Sequence, residues 1–469
     1  MVFDRKINYT YFIACLLIAI LISCNKKENA PAEKIPDHIT FSEHIAPIIY
    51  SNCTPCHRPG SAGPFSFTNY DEVVRKAKTI KKVTQSRFMP PWPADPTYVH
   101  FAGERILSQM EIDMLAKWVD DKCPLGDSSK IPTPPNYVST SQIGKPDMVI
   151  EFPDIVIDGN NKDHFFLVKV PYEMPEEKYV KTIEFIPGNK KLTHHMNANL
   201  IEYQEGKKKD VFSGDRLIPT DLAEDAMAVQ KEMDNLNDDG SVPLLVPLVC
   251  NYLPGVSPAI YPEGIGGFRM SAKGAFFIND LHFGPSAIDT FDKDAHFNIF
   301  FTDAPPKRPT YEILLGSLGI APVKPHLVIP ANEIKTFTID YVVQEDMSVL
   351  TVNPHMHLLG KSFLAYAITP LQDTIPMIRI NNWDFRWQYF YTYQKVLKIP
   401  GGSVIHVEGT FDNTEANPNN PYFPPQVIID RGKQFDSMKT TNEMLQFIIT
   451  YMPYQKGDEG IVLGVRRDE

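Results

Sequence analysis

The sequence predicts a multidomain protein in which a small all-α domain precedes two all-β sandwich domains. Three short amphipathic helical segments occupy residues 38–127, whereas apolar and polar residues alternate with a period of two in many segments after residue 147. The 41 prolines suit loop-rich β structure better than a helical bundle. The 469 residues are enough for about three domains. The net charge of −11 argues against nucleic acid as a partner.

The first 24 residues predict a secretory signal. Arg5 and Lys6 precede an apolar run over 11–22 that is too short for a membrane-spanning helix. The run ends in Leu21-Ile22-Ser23-Cys24, which resembles a bacterial lipoprotein box and implies that Cys24 carries a lipid anchor. An uncleaved anchor and an ordinary signal peptide are the alternatives. Each places the rest of the chain outside the cytoplasm, in the bacterial cell envelope, and a lipid would hold it at a membrane surface. Residues 25–37 are polar and predict a tether.

The most specific motif is Cys53-Thr54-Pro55-Cys56-His57. Two cysteines separated by two residues and followed at once by histidine form the attachment site of a c-type haem. Each thiol adds to one vinyl group of the porphyrin, and the histidine then reaches the iron. A chance CxxC beside an unrelated histidine and a redox dithiol are the alternative interpretations. The motif predicts one covalently bound haem c, held by Cys53, Cys56 and His57.

Three helices are expected around this motif, in a domain spanning 38–127. The first runs from Phe41 to Ser51 and the second from Tyr70 to Thr84, because apolar residues recur there at helical spacing. The third opens with Ser108-Gln109-Met110-Glu111, which is typical of a capping box, and ends near Cys123. The arrangement resembles a small class I cytochrome c, in which the first and last helices cross beside the haem.

The haem iron needs a second axial ligand, and the candidates are Met89, Met110, Met114 and His100. Met110 and Met114 lie on the third helix, where packing explains them. Met89 precedes Pro90-Pro91-Trp92-Pro93, a stiff loop that would hold a thioether in place. We therefore predict Met89 as the ligand. Ligation by histidine and methionine favours electron transfer over oxygen binding.

A linker rich in proline and serine is expected at 128–146, and β structure follows it. Apolar and polar residues alternate over 336–343, which predicts a half-buried strand. Further strands are expected at 180–187, 195–202, 275–282, 296–302, 347–357, 362–369, 403–411 and 442–451. So many short strands predict two sandwiches, at 147–325 and 326–469, with a boundary near the glycines and prolines of 318–332.

Histidine and methionine residues form four clusters within this β region. The clusters are Thr193-His194-His195-Met196, Leu281-His282-Phe283-Gly284, His355-Met356-His357 and Asn442-Glu443-Met444. Imidazole and thioether together suit copper, and the thioether favours Cu(I). His355 and His357 lie on one face of a strand, whereas adjacent His194 and His195 can share an ion only where the strand ends or bulges. Surface or core histidines, and a core methionine at 444, remain the alternative interpretations.

The order of the four clusters resembles the copper type II, ascorbate-dependent monooxygenases, whose familiar members hydroxylate peptidylglycine and dopamine. The resemblance covers residues 150–469. It implies two jelly-roll-like sandwich domains with one copper ion each. By this resemblance, His194, His195 and His282 would hold the first copper. The catalytic copper would be held by His355, His357 and Met444. O2 and an ascorbate-like reductant, or a periplasmic redox protein, would be the partners.

Some positions depart from the peptide-amidating branch of that family. An arginine that helps to hold the substrate carboxylate there corresponds to Asn353, and an asparagine and a tyrosine correspond to Gln446 and Ile448. We therefore expect a small organic substrate other than a peptide. For Cys123 and Cys250 two alternatives stay open, a bridge between domains or two buried thiols.

The sequence thus predicts a copper monooxygenase that hydroxylates a C–H bond with O2 and receives electrons through its own haem. Because copper binds neutral imidazole, activity is expected to fall below about pH 6. The competing hypothesis is a non-catalytic, lipid-anchored haem and copper protein that relays electrons or handles copper. A third hypothesis is an adhesion or carbohydrate-binding sandwich.

Overall fold

The computed structural model describes residues 34–137, 141–223, 225–256, 258–430 and 441–465. The predicted signal, Cys24 and most of the tether lie outside these ranges. The chain is mainly β, with several sheets and a few short helices. Within the described ranges, every helix is too short or too polar to span a bilayer.

The predicted N-terminal helices lie close to their expected positions. A π-helical turn, Phe41–Ile45, leads into α1, Ala46–Asn52; α2 is Tyr70–Gln85 and α3 is Gln109–Asp120. The predicted capping box of α3 is confirmed, because the Ser108 hydroxyl accepts the Glu111 N–H and the Glu111 carboxylate accepts the Ser108 N–H. The three helices pack around one apolar cluster that includes Phe41, Ile49 and Trp118.

A first group of sheets spans residues 148–302. Its four-stranded sheet has the order β1-β11-β4-β8 and its five-stranded sheet the order β6-β3-β9-β5-β7, with a small β2-β10 pair beside them. Val180 and Phe297 of the smaller sheet share one buried cluster with Met196 and Phe276 of the larger sheet, so the two sheets face a common core. The strands are β1 Met148–Glu151, β2 Ile155–Ile157, β3 His164–Glu173, β4 Lys178–Ile186, β5 Thr193–Glu202, β6 Leu217–Pro219, β7 Leu244–Tyr252, β8 Phe268–Met270, β9 Lys273–Phe283, β10 Thr290–Asp292 and β11 His296–Thr302, with a short helix α4, Ala226–Glu232, between β6 and β7.

A second group of sheets spans residues 311–453. One four-stranded sheet has the order β12-β21-β15-β18 and the other β14-β19-β16-β17, and Phe337 and Val349 from opposite sheets share a core. The strand β12 lies before the predicted boundary near 318–332, yet it pairs with β21 of this group. The strands are β12 Tyr311–Gly316, β13 Val328–Ile329, β14 Ile334–Val342, β15 Met347–His355, β16 Gly360–Ile368, β17 Thr374–Ile380, β18 Tyr391–Ile399, β19 Val404–Asp412, β20 Ile428–Ile429 and β21 Gln446–Pro453.

The proline-rich segment after Met89 joins the helical part to the second group of sheets. Ala94 forms a β-bridge with Ile380, and Phe101 forms one with Tyr393. The side chains of Ala94 and Phe101 are buried in the core of the second group. Because this segment adds to a sheet and fills its core, the helices are held against that group.

Cys123 and Cys250 are both buried, unpaired thiols. Cys123 belongs to the helical core and Cys250 to the core of the first sheet group. Of the two alternatives that the sequence left open, the structure has the buried thiols.

Candidate metal centres and the cavity between them

His194, His195 and His282 converge at one end of the first sheet group, and we call them the three-histidine cluster. His195 on β5 lies opposite His282 on β9, and the strand register shifts between Thr193 and His195. This irregularity meets the expected condition for two adjacent histidines to serve one ion. The Nδ1 atom of His195 lies 3.1 Å from Nδ1 of His194 and 3.4 Å from Nδ1 of His282. One ring nitrogen from each histidine lies within 4.8 Å of the others, an arrangement that could hold a metal ion.

Two carboxylates lie behind this cluster. Asp280 accepts a hydrogen bond from Nε2 of His195 at 2.7 Å, and Asp163 accepts one from Nε2 of His282 at 2.8 Å. A carboxylate that accepts a hydrogen bond from one ring nitrogen fixes the proton on that nitrogen. The lone pair of the other ring nitrogen is then free to bind a metal. The two contacts therefore point the Nδ1 atoms toward the shared centre.

His355, His357 and Met444 come from the ends of two paired strands of the second group, and we call them the His/Met cluster. His355 ends β15, where it lies opposite Gln446, the first residue of β21. The ring centroids of His355 and His357 are 5.0 Å apart. Met444 is buried and lines the same cavity as both histidines. The pairing of β15 with β21 thus brings together residues that are far apart in the chain.

Neutral groups orient the two rings of the His/Met cluster. Nδ1 of His355 donates to the side-chain oxygen of Gln388, and Nδ1 of His357 donates to the backbone oxygen of Asn442 at 2.8 Å. Nε2 of each ring is thereby left as the metal-binding atom. The carboxyl group of Glu443 accepts the N–H of His357 at 2.9 Å and the N–H of Leu359 at 2.6 Å, which fixes the turn that follows the histidines.

Four imidazoles of the two clusters are easier to keep neutral than ordinary histidines, those of His194, His282, His355 and His357. Burial, with the adjacent His195 second, lowers the pKa of His194 to about 3. Burial, with the adjacent His357 second, lowers the pKa of His355 to about 3. The pKa values of His282 and His357 are also lowered, chiefly by burial. The sequence-based expectation of protonation below about pH 6 rests on the pKa of an ordinary imidazole. The lowered pKa values mean that these histidines become protonated at a lower pH.

One cavity of about 360 Å³ lies between the clusters. His195 and Asp280 line it from one side, and the whole His/Met cluster lines it from the other. The ring of Phe385 stands in the gap, with its centroid 6.3 Å from that of His194 and 5.8 Å from that of His357. His195 of the three-histidine cluster and the whole His/Met cluster therefore face a single space.

Apart from the carboxyl group of Glu312, the rest of the cavity wall is apolar or carries amides, and none of its described residues is lysine or arginine. The amide of Asn353 donates to the Tyr389 backbone oxygen at 2.9 Å, and that of Gln446 donates to the Ser317 oxygen at 2.6 Å. Two of the three positions that differ from the peptide-amidating branch are thus engaged with the protein's own backbone. The described wall of this cavity offers no cation with which to hold a carboxylate.

A second, largely apolar cavity of about 340 Å³ adjoins the helices, and Cys53, Cys56, His57 and Met89 all line it. Nδ1 of His57 lies 3.1 Å from the backbone oxygen of Phe65, which leaves Nε2 free to bind a metal. Burial, followed by the charge of Cys56, raises the pKa of Cys53 to about 12, whereas a redox thiol needs a lowered pKa.

The other three candidates for the axial ligand lie elsewhere. Met110 and Met114 are on α3, and Met114 packs against the helical core. His100 lies 3.1 Å from the carboxylate of Glu104. None of these three is among the described residues that line the cavity, whereas Met89 is.

Two residues from the β part complete the wall of this second cavity, Pro254 and Trp387. Trp387 directly precedes Gln388, whose side chain bonds to His355. Two neighbouring residues of one loop, Trp387 and Gln388, therefore connect the wall of the second cavity with the His/Met cluster.

Sequence reasoning missed Asp163, Asp280, Gln388 and Glu443. Asp280 lies two residues before His282 on β9, and residues two apart on a strand point to the same face. The sequence pattern could therefore have placed Asp280 beside the histidines. Glu443 lies beside Met444, but its bonds to the backbone of another segment leave no trace in the sequence. Asp163 and Gln388 lie far along the chain from their partners, and no local pattern marks them.

Comparisons with known proteins identify no family. No family profile and no curated protein matches the chain. Two solved structures, titled "Structure of infectious bursal disease virus Gt strain" and "Structure of infectious bursal disease virus Gx strain", are 11% and 10% identical in sequence. They align with 68% of this chain and with 87% and 77% of their own chains. Their TM-scores of 0.15 are too low to relate the folds.

Proposed function

We propose that this protein is a copper-dependent monooxygenase, similar to the ascorbate-dependent copper type II family, that hydroxylates a C–H bond of a small organic molecule with O2. The observation that supports this most is that the three-histidine cluster and the His/Met cluster lie on either side of one cavity, which His195 lines from one side and His355, His357 and Met444 line from the other. Each sheet group would be one sandwich domain of the jelly-roll type, with one metal site each.

The donor atoms of both clusters fit copper. Three imidazoles suit copper in either oxidation state, and the thioether of Met444 favours Cu(I). When bound, two copper ions would supply one electron each for the reduction of O2. The hydrogen bonds from His195, His282, His355 and His357 to their acceptors keep the free nitrogens directed at the two centres.

The cavity between the clusters is where the substrate would bind. Its volume of about 360 Å³ is at the small end of the range for small-molecule sites. Apolar Leu314, Phe390 and Ile448 would contact a hydrocarbon, and the side chains of Asn197 and Asn279 would orient polar groups. The absence of a cation among the described lining residues argues against a carboxylate substrate.

The cavity beside the helices fits a covalent haem. Cys53 and Cys56 would form the thioether links, His57 would bind the iron through Nε2, and Met89 would be the second axial ligand. Bound haem would supply a one-electron carrier. Trp387 in the cavity wall, followed by Gln388 with its hydrogen bond to His355, would give that carrier a short path of one peptide bond and one hydrogen bond to the His/Met cluster.

The remaining features follow from the sequence. The helical part would be a class I-like cytochrome c domain, and the chain would be a lipoprotein of the bacterial cell envelope, anchored through Cys24. Its partners would be O2, the substrate, and an ascorbate-like reductant or a periplasmic redox protein.

The test measures oxygen uptake together with metal content. We expect the full chain to bind two copper ions and one haem, and to consume O2 when a reductant is supplied. His355→Ala and Met444→Ala should abolish uptake, whereas His326→Ala, at an exposed histidine outside both clusters, should not. Full copper occupancy without O2 consumption would overturn the monooxygenase proposal and would support the electron-relay hypothesis.

A further inference from the structure

A third cavity, of about 460 Å³, lies beside the CxxCH motif, between the helical part, the segment that follows it and the first sheet group. Arg58, Arg105 and Lys190 line it, and none of its described lining residues is aspartate or glutamate. We propose that this cavity binds a small, planar organic anion of the carboxylate or enediolate type. The kind of ligand rests on the proposed function, because an ascorbate-like reductant belongs to this class.

The two guanidinium groups of the cavity wall bond to backbone oxygens. Arg58 donates to the oxygens of Thr54, at 3.3 Å, and Pro55, and Arg105 donates to that of Gly255. Within the described ranges, neither arginine forms an ion pair with a carboxylate. A guanidinium carries five N–H donors in a fork that matches a carboxylate. Each arginine therefore has donors left with which to hold an anion.

The third cation of the wall is coupled to the first. Burial, followed by the charge of Arg58, lowers the pKa of Lys190. Glu184 acts on Lys190 in the opposite direction, but its carboxylate is shared with the backbone N–H of Gln142, which it accepts at 2.7 Å. Positive groups that act on one another where water is partly excluded favour an anion between them.

The charge of this cavity contrasts with that of the whole chain. A protein with a net charge of −11 repels anions overall. A concave site lined by cations and by no described acid concentrates them at one place. The cavity is therefore the part of the surface to which an anion is directed.

The shape of the ligand follows from the aromatic part of the wall. The aromatic lining residues are Tyr50, Tyr137, Phe185 and Tyr252. The guanidinium carbon of Arg58 lies 4.0 Å from the ring centroid of Tyr137, so the ring holds this group in place. The volume is in the range of small-molecule sites. Aromatic walls and this volume suit a flat organic anion better than a compact ion such as phosphate.

Only a stretch of backbone separates the cavity from Cys56. Gly255 lines the cavity with a φ of 75°. A Cβ at this position would collide with Sγ of Cys56 and lie 3.0 Å from a guanidinium nitrogen of Arg105, so glycine is needed for both reasons. Arg105 and Ala62 line the haem-sized second cavity as well. An anion bound here therefore lies next to the thiol that would carry the haem.

Isothermal titration calorimetry of the full, haem-loaded chain tests the inference. Electrochemical reduction of the chain beforehand prevents heat from electron transfer. The probes are ascorbate, an enediolate, and benzoate, a planar carboxylate without reducing power. We expect at least one of them to bind once per chain, with an affinity that falls as salt is added. Benzamide, which has the shape of benzoate but no charge, should not bind.

Three substitutions locate the bound anion. Arg58→Gln and Arg105→Gln each remove a charged fork, and each should weaken binding about tenfold. Lys190→Gln should weaken it less, because Glu184 already offsets part of this charge. Lys190→Gln also keeps the test open if Arg58→Gln, next to His57, prevents folding or haem attachment.

The matched control is Lys191→Gln, which removes the same charge one residue away, at an exposed side chain outside the cavity wall. It should leave the affinity unchanged. Absence of anion binding, as expected if the propionates of the haem filled the cavity, would overturn this inference, and so would equal effects of Lys190→Gln and Lys191→Gln. Either result leaves copper content and O2 uptake untouched. A chain that binds an anion here but consumes no O2 would contradict the proposed function alone.

Discussion

At the scale of single residues, the three-histidine cluster depends on a register shift next to two adjacent histidines. A regular strand would point His194 and His195 to opposite faces. In the structure their Nδ1 atoms are 3.1 Å apart, and His282 completes the set from the neighbouring strand. The chemistry at this cluster therefore depends on a local irregularity as much as on the residue types.

Removing one of these ligands is expected to cost one metal ion. His282→Ala leaves two imidazoles at the three-histidine cluster and does not touch the His/Met cluster, so copper per chain should fall from two to about one. Elemental analysis of the dialysed protein measures this. The matched control is His164→Ala, because His164 bonds to the Asp158 backbone oxygen and belongs to neither cluster. Two copper ions in His282→Ala would show that this histidine is not a ligand.

Glu312 in the cavity wall makes stability depend on pH. Burial raises the pKa of its carboxyl group to about 8, although the hydrogen bond from Thr450 acts to lower this pKa. Among the described residues, its Oε2 atom is buried without a partner. An acid whose pKa is raised by folding stabilises the fold below its unfolded pKa, and that contribution is lost as the pH rises through the folded pKa.

We therefore expect Glu312→Gln to weaken the pH dependence of unfolding. The free energy of unfolding of the variant, relative to that of the unaltered chain, should rise by on the order of 2–4 kcal/mol between pH 5 and pH 8, because the variant has no charge to bury. Urea unfolding at the two pH values measures the difference. Glu345→Gln, at an exposed acid, should change the dependence little, and an equal response of both variants would contradict the burial argument.

At the scale of elements, the alternating strand β14 and the almost fully buried strand β15 were predicted, whereas the buried strand β3 was not. The observed strand β14 matches the alternation over 336–343. By contrast, β3 buries seven consecutive residues, so it has no period of two. One of them is Lys169, whose ammonium group donates to the backbone oxygens of Ser213 and Met233. A lysine that is satisfied by distant loops cannot be recognised as a core residue from the sequence.

The capping box of α3 allows a quantitative test of one element. Ser108→Ala removes the hydroxyl that accepts the Glu111 N–H, and it should cost about 1 kcal/mol of stability. Chemical denaturation followed by helical circular dichroism measures the loss. Ser86→Ala is the control, because that hydroxyl bonds to a backbone oxygen at the other end of a helix, α2. An equal effect of both changes would show that the cap contributes nothing specific.

At the scale of the whole molecule, the segment between α2 and α3 fills part of the core of the second sheet group, whereas the helices pack around a core of their own. Phe101 is 1% exposed, and its ring centroid lies 5.0 Å from that of Tyr391 and 5.2 Å from that of Tyr393. Asp95 on the same segment forms an ion pair with Arg379 at 2.8 Å. The sequence predicted a stiff loop here, but not that its far side fills the core of another unit, because that contact joins residues nearly 300 positions apart in the chain.

Phe101→Ala should therefore destabilise both parts together. Loss of a buried aromatic ring costs about 3–5 kcal/mol, and here the second sheet group and the helical part should lose stability in parallel. Hydrogen–deuterium exchange during urea unfolding, measured on peptides from each part, reports the two transitions separately. Phe423→Ala, at a ring that is 87% exposed, should leave both transitions in place. If only one transition moves in Phe101→Ala, the parts are not coupled through this core.

Across the whole molecule, sequence reasoning found the residues that carry chemical signatures. The CxxCH motif and the four histidine and methionine clusters are local patterns, so they were visible before any fold was known. Two of the acceptors behind the rings, Asp163 and Gln388, were not visible, because they reach the histidines only through sheet pairing and loop packing. The shared cavity also depends on the packing of the two sheet groups, which no segment encodes alone.

The most direct test of the central claim is the position of copper in crystals of the metal-loaded chain, measured by anomalous scattering at the copper edge. We expect two peaks, one among the Nδ1 atoms of the three-histidine cluster and one between His355, His357 and Met444. Absence of a peak from both positions, or copper bound only elsewhere on the molecule, would contradict the account.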